Sequence, residues 1–299
     1  MIAICGHVGH VVVGLLIVAT FSTILCCKGR PETATQAKAM KKGVTEPAGV
    51  AVTVLYDNNE YDDRLETAWG FSCLVEGLEK TILFDTGGDS RVLLSNMRKL
   101  HIQPAHVDIV VISHEHGDHM GGLAGFLAEN SRVTVYLPRS VPERTKGIVR
   151  NSSAKLVEVD APTNICKGAH TTGELGRGIK EQSLVVETPE GMLLITGCAH
   201  PGIVHILRRA EHQLDTDIHM TMGGFHLGGT GRRGLERIVE DMRNLGVKKV
   251  APCHCSGDLA RHLFNEAYGD NCHPAGVGWK YTCGVTGEEN AEQLGNQGE

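Results

Sequence analysis

His114-Glu115-His116-Gly117-Asp118-His119 places four candidate metal ligands within six residues. The run before it, Val107 to Ser113 (VDIVVIS), is short, rich in Val and Ile and bounded by polar residues, which predicts a buried strand. The ligands therefore leave a strand end on a loop, with Gly121-Gly122 next and a helix predicted over Leu123 to Glu129. On extended chain His114 and His116 project to one side and can share an ion. Asp118 and His119 lie past a turn, where they can face a second one. Imidazole nitrogen and carboxylate oxygen both suit Zn²⁺, at about 2.0–2.2 Å, and Mn or Fe accept the same donors. Ligands packed this densely beside two glycines rarely serve packing alone, so the motif reads as a centre for one or two divalent ions, zinc foremost.

Other residues with chemistry stand at further strand ends. Val50 to Tyr56 alternates toward β, and Asp57-Asn58-Asn59 follows as a turn whose side chains can bond the backbone. Phe71 to Glu76 and Thr81 to Phe84 pair around Gly77-Leu78, and Asp85 closes the second of them. A carboxylate there can accept from a ligand histidine's second nitrogen, or cap the helix expected over Ser90 to Leu100. Arg132 to Leu137 reads as a strand, and Val141 to Ala161 as loop-rich, with little chemical signal. In the glycine-punctuated His170 to Gly178, Glu174 and Arg177 face either substrate or solvent. Ser183 to Thr188 and Met192 to Thr196 pair next, and His200 leaves the second strand beside Gly197, Cys198 and Ala199. A helix over Ile203 to Glu211, a strand over Asp217 to Met222, a helix over Leu235 to Leu245 and a strand over Lys248 to Ala251 complete the alternation. His226 follows the first of these strands, and His254 follows the last, between Cys253 and Cys255. Alternating strands and helices with ligands at successive strand ends indicate an α/β protein. Gly228 to Arg233 opens the Leu235 helix with Arg232 and Arg233, a candidate phosphate cradle or else a mobile basic loop.

The net charge of −6 gives no support to a nucleic-acid surface. Ten scattered cysteines in so long a chain suggest free thiols in a reducing compartment. Val8 to Cys27 carries no charge and can nearly span a bilayer as a helix. Lys28, Arg30, Lys38, Lys41 and Lys42 come after it, so the positive-inside rule puts the domain that follows in the cytoplasm, tethered to the membrane. An exported protein and a soluble cytoplasmic one are the alternatives. Residues 28–49 read as a linker, 50–283 as the catalytic domain and 284–299 as a disordered tail.

HEHGDH resembles the His-x-His-x-Asp-His signature of the metallo-β-lactamase superfamily. LYDNNE (55–60), ILFDTGG (82–88), VVISHEHGDHMGGL (110–123), TGCAHPGI (196–203), MGGFHL (222–227) and APCHCSG (251–257) occur in the order of its dihydropteroate-synthase-like branch. That branch is named for an archaeal enzyme joining a dihydropterin to a ribosyl-aminobenzene phosphate. The resemblance implies an αββα sandwich, two mixed sheets back to back with helices outside and the metal site along one edge. It makes Asn58 and Asn59 candidate substrate contacts and Asp85 a support for the site.

One departure stands out. Many members carry a bridging Asp after the strand equivalent to Leu193 to Gly197, where this chain has Gly-Cys-Ala-His. His200 then serves as the third histidine or takes the Asp's position, and His226 competes for both roles or contacts substrate. The resulting expectation is a first ion on His114, His116 and His200, and a second on Asp118, His119 and His254. Asp118 and His119 are the expected catalytic residues. An ion with an open position lowers the pKa of bound water to about 7, and Asp118 would orient the resulting hydroxide or take its proton. The implied activity is a metal-dependent hydrolase of a small, anionic, phosphate-bearing molecule. The alternatives are dihydropterin transfer from a diphosphate and a non-enzymatic, membrane-tethered metal-binding module.

Overall fold

Short apolar runs separated by polar turns set the architecture. The computed structural model describes residues 49–283. The expectations for the hydrophobic segment 1–27, the tail 284–299 and all but the last residue of the linker lie outside the described residues. Among the described residues no helix is long and apolar enough to cross a membrane.

In chain order come β1 (Ala51–Tyr56), β2 (Ser72–Glu76), β3 (Ile82–Phe84), α1 (Ser90–Lys99), β4 (Ile109–Val111), α2 (Gly117–Met120) and α3 (Leu123–Glu129). Next are β5 (Thr134–Pro138), α4 (Glu143–Arg150), β6 (Lys155–Val159), β7 (Thr163–Cys166), β8 (Ala169–Thr171), β9 (Leu184–Thr188) and β10 (Gly191–Thr196). The last are α5 (Ile203–Leu214), β11 (Ile218–Gly224), α6 (Arg232–Asn244), β12 (Lys249–Cys253), α7 (Asp258–Tyr268) and β13 (Lys280–Thr282). They form a seven-stranded sheet, β13-β1-β2-β3-β4-β5-β6, and a six-stranded sheet, β12-β11-β10-β9-β8-β7. Both are mixed: β3 to β6 and β10 to β12 run parallel, while the neighbours of β1, β2 and β9 are antiparallel.

Successive side chains on a strand face opposite ways, and here both ways are covered. Val52, Val54, Cys73, Val75, Phe84 and Val111 meet Leu193, Ile195, Met220 and Met222 between the sheets. Leu74, Leu83 and Val110 pack outward on Leu93 and Met97 of α1 and Phe126 of α3. Leu194, Ile218 and Val250 pack outward on Ile206 of α5, Val239 of α6 and Phe264 of α7. Three cores between four layers make the αββα sandwich. Burial on both faces also explains why the central strands are apolar throughout instead of alternating.

The stretch Val141 to Ala161, expected to be loop-rich, holds α4 and the edge strand β6. Of α4 only Thr145, Lys146 and Val149 are buried, and the Lys146 ammonium reaches Glu158 of β6 at 2.7 Å. An edge element held by ion pairs carries little apolar periodicity to read. Helix α7 also went unassigned, although Ala260, Leu263 and Phe264 give it a buried face.

Candidate metal centre

The parallel strands β3, β4, β10, β11 and β12 all end on one side, and Asp85, His114, Cys198, His226 and His254 lie just beyond those ends. This is where open α/β sheets place their ligands. The single turn α2 folds Asp118 and His119 back over the strand ends. Its backbone is clamped by Phe71 N–H to Asp118 O (3.2 Å) and Thr86 N–H to His119 O (2.7 Å). A side chain at Gly122 would put its Cβ 2.1 Å from Thr86 O, so only glycine lets the ligand loop sit this close.

Three groups of donors result, each with its ligand atoms within 4.8 Å of one another: His114, His116 and His200; Asp118, His119, Cys198 and His254; and Cys198, His200 and His226. Nε2 of His114 and His200 is buried without a hydrogen-bond partner, and that of His254 has only the Asp118 carboxylate 3.4 Å away. Leaving such atoms bare is costly unless something binds them, and imidazole, carboxylate and thiolate are the donors of zinc-type sites. The residues present therefore fit divalent ions. His200 groups with His114 and His116, while the exposed His226 lies beyond it at a ring separation of 4.4 Å. Cys198 belongs to two of the groups and stands just past the end of β10, where many superfamily members carry the bridging Asp that this chain lacks. Its Sγ lies 3.3 Å from that of Cys255, and the seven cysteines of the described residues are all free thiols.

Buried supports fix the tautomers. Asp85 accepts from Ser113 N–H (2.6 Å), Ser113 Oγ–H (2.7 Å) and His119 Nδ1–H (2.7 Å). With its own proton spent on Asp85, Ser113 Oγ accepts from His114 Nδ1 at 2.9 Å, which leaves Nε2 as the free lone pair. One carboxylate thus orients a ligand in each of the first two groups. The helix cap is Asp89, not Asp85.

Asn58 does the same for His254, its Oδ1 taking Nδ1–H at 2.9 Å while its amide donates to His254 O at 3.2 Å. Asn59 donates to Asp57 at 2.6 Å and accepts from Arg261 at 2.6 Å. Both asparagines, expected as substrate contacts, spend these polar atoms on the chain itself, around the His254 turn. The fully buried Asp57 completes that turn by accepting His254 N–H at 3.1 Å.

Glu181 was missed altogether. It is buried, and its carboxylate accepts from the N–H groups of Gly197 (3.1 Å), Cys198 (3.0 Å), Ala199 (2.9 Å) and His200 (2.8 Å). The turn carrying Cys198 and His200 is wrapped around this one side chain. A lone acidic residue before an apolar strand gives no sequence signal for such a role. Glu174 accepts Ser140 N–H at 2.6 Å, bracing a neighbouring loop.

Arg232 and Arg233 are the expected phosphate cradle. Both are exposed at the start of α6, and Arg232 lies 3.9 Å from Glu236 one turn on and 4.0 Å from Glu266 of α7. Its guanidinium lines a cleft of about 630 Å³ between those helices that contains none of the candidate ligands. A different cleft, of about 480 Å³, touches the centre, lined by His200, Pro201, His205, Arg177 and Ile179.

The electrostatics differ between the groups. Burial, reinforced by the neighbouring histidines, pushes His114 far below its ordinary pKa and His200 down to about 4. For His119 burial also acts downward, yet attraction to Asp85 and the bond to it prevail and raise the pKa. Burial would raise Asp118, but the contacts with His254 and His119 hold it well below the usual carboxylate range.

Two adjacent groups of metal-type donors at the strand ends of an αββα sandwich are the features by which the chain can be compared with known proteins. The sequence profile of the metallo-beta-lactamase superfamily matches residues 70–254, and the chain belongs to that superfamily. It is similar to the 7,8-dihydropterin-6-methyl-4-(beta-D-ribofuranosyl)-aminobenzene-5'-phosphate synthase of Methanocaldococcus jannaschii. Identity is 26% over 265 residues, covering 72% of this chain and 90% of the archaeal one. A solved metal-dependent hydrolase of the beta-lactamase superfamily superposes with a TM-score of 0.66 at 30% identity, covering 78% of this chain and 98% of the other. A diphosphatase of the PhnP family shares the fold, with a TM-score of 0.52 at 16% identity over 78% of this chain and 98% of its own.

Proposed function

We propose that this protein is a metal-dependent hydrolase of a small phosphate-bearing molecule. The observation that carries the reading is the pair of adjacent donor groups with bare Nε2 atoms, opening at His200 onto a cleft that holds Arg177. When bound, divalent ions supply Lewis acidity and make a water acidic enough to attack at neutral pH. The chain supplies the rest. Asp118 is ionised and lies 3.4 Å from His254 Nε2 and 3.7 Å from His119 Nε2, so it can orient the attacking water and accept its proton. Arg177 is exposed at the cleft mouth, and a guanidinium pairs well with phosphate oxygens. His226 flanks His200 on the open side and can contact the bound molecule.

A second reading has its own support. The archaeal synthase aligns over 90% of its length and makes a phosphate-bearing product. In that case the same donor groups would hold a leaving diphosphate while a carbon nucleophile replaces water. Assay of the zinc-loaded protein against aryl phosphate mono- and diesters, and in parallel against a dihydropterin diphosphate with an aminobenzene acceptor, separates the two. Ester turnover without condensation supports hydrolysis; condensation alone supports transfer, and neither would overturn both.

A further inference from the structure

Four large hydrophobic side chains are exposed among the described residues: Trp69 at 60%, Tyr61 at 48%, Leu259 at 43% and Ile179 at 37%. Single exposed hydrophobes are ordinary, but these gather on the segments that frame the metal centre. The Trp69 ring lies against ligand His254, with centroids 4.8 Å apart and planes at 54°. Ile179 lines the cleft with ligand His200. Tyr61 shares the 57–70 loop with Trp69, and Leu259 opens α7 just after the His254 turn.

Trp69 is also held in place. Ala68 N–H donates to Asp57 O at 3.1 Å and Phe71 N–H to Asp118 O at 3.2 Å, which pins the backbone on both sides of it. Between them a Cβ at Gly70 would lie 2.3 Å from Asp118 O. The indole is therefore presented to solvent by a fixed backbone. From it a row of rings crosses the centre: Trp69 to His254 at 4.8 Å, His254 to His119 at 5.0 Å, His119 to His114 at 4.2 Å and His114 to His200 at 4.8 Å. The cleft with Arg177 opens at the far end of that row.

We propose that Trp69 is the stacking platform for a planar aromatic ring on the substrate, whose anionic end lies toward the Arg177 cleft. This rests on the reading that the centre takes a small anionic substrate. A rigid indole face beside the reacting position favours a flat ring over an aliphatic group of equal size, because stacking adds to the gain from area alone.

The test uses the full chain loaded with zinc and four probes: phenylphosphonate, cyclohexylphosphonate, benzoate and cyclohexanecarboxylate. In whichever anion series binds, the phenyl compound should bind roughly five- to ten-fold more tightly than the cyclohexyl one by calorimetry. Its binding should change the tryptophan emission, which reports on Trp69 because Trp279, the other tryptophan, is 4% exposed. Trp69→Ala should abolish the phenyl preference and Trp69→Phe should keep most of it, both with unchanged zinc content. Equal affinity for phenyl and cyclohexyl probes, equal loss of both in Trp69→Ala, or no binding by either series overturns the proposal. Phosphonates binding no better than carboxylates would count against the phosphate reading and leave the ring preference standing.

Discussion

Four of the six non-glycine residues with positive φ among the described residues sit at the centre: Asp85 (57°), Ala199 (59°), His226 (50°) and His254 (46°). Each such conformation costs on the order of 1–3 kcal/mol and persists only where surrounding contacts enforce it. Glu181 supplies that enforcement for the Gly197 to His200 turn. Glu181→Gln keeps the shape but points an amide N–H₂ at backbone donors, so a loss of roughly 2–3 kcal/mol is expected, a fall in Tm of about 5–10 °C. Thermal unfolding of the zinc-free protein measures it, and an unchanged Tm would contradict the role assigned to Glu181. The histidines predict how pH acts. His119's folded pKa lies above its ordinary 6.5, so its proton stabilises the metal-free fold at low pH, and that increment is lost as pH rises through the folded value. A cation in the second group must displace this proton, whereas His114 is neutral far below 6.5 and His200 down to about 4. Between about pH 8 and about pH 5.5, zinc should therefore leave Asp118, His119 and His254 before it leaves His114, His116 and His200. Metal content read against pH in wild type and His119→Ala checks this, and simultaneous release in wild type would contradict it.

At the scale of elements, the site depends on loops that glycine allows to interlock. Gly122→Ala would drive a methyl into Thr86 O, and overpacking of this kind costs about 1–3 kcal/mol. The movement falls on the loop bearing Asp118 and His119, so zinc affinity should drop more than stability does, by equilibrium dialysis set beside thermal unfolding. What the sequence made legible follows the same division. His114, His116, Asp118 and His119 stand next to a buried apolar strand within one motif, and local pattern was enough to read them. Glu181, Asp57 and Trp69 act on residues distant in sequence, through contacts that exist only once both sheets are assembled. The Gly228 to Arg233 segment reads as a phosphate cradle from its glycines and basic pair, and in the structure Arg232 lies within 4.0 Å of Glu236 and Glu266. Helix α4 escaped notice because ion pairs, more than apolar periodicity, hold it to β6.

For the whole molecule, the two sheets bring together donors from the ends of β4, β10 and β12, with Asp85 at β3 and Asn58 after β1 orienting them. No single element could bind an ion alone, so metal content reports directly on the assembled sandwich. The decisive measurement is zinc stoichiometry of the purified full chain by elemental analysis, in wild type, His114→Ala and His254→Ala. Two ions per chain are expected in wild type and about one in each variant, with a near-native circular dichroism spectrum because the ligands lie at the edge of the cores. Full zinc content in both variants would contradict the account.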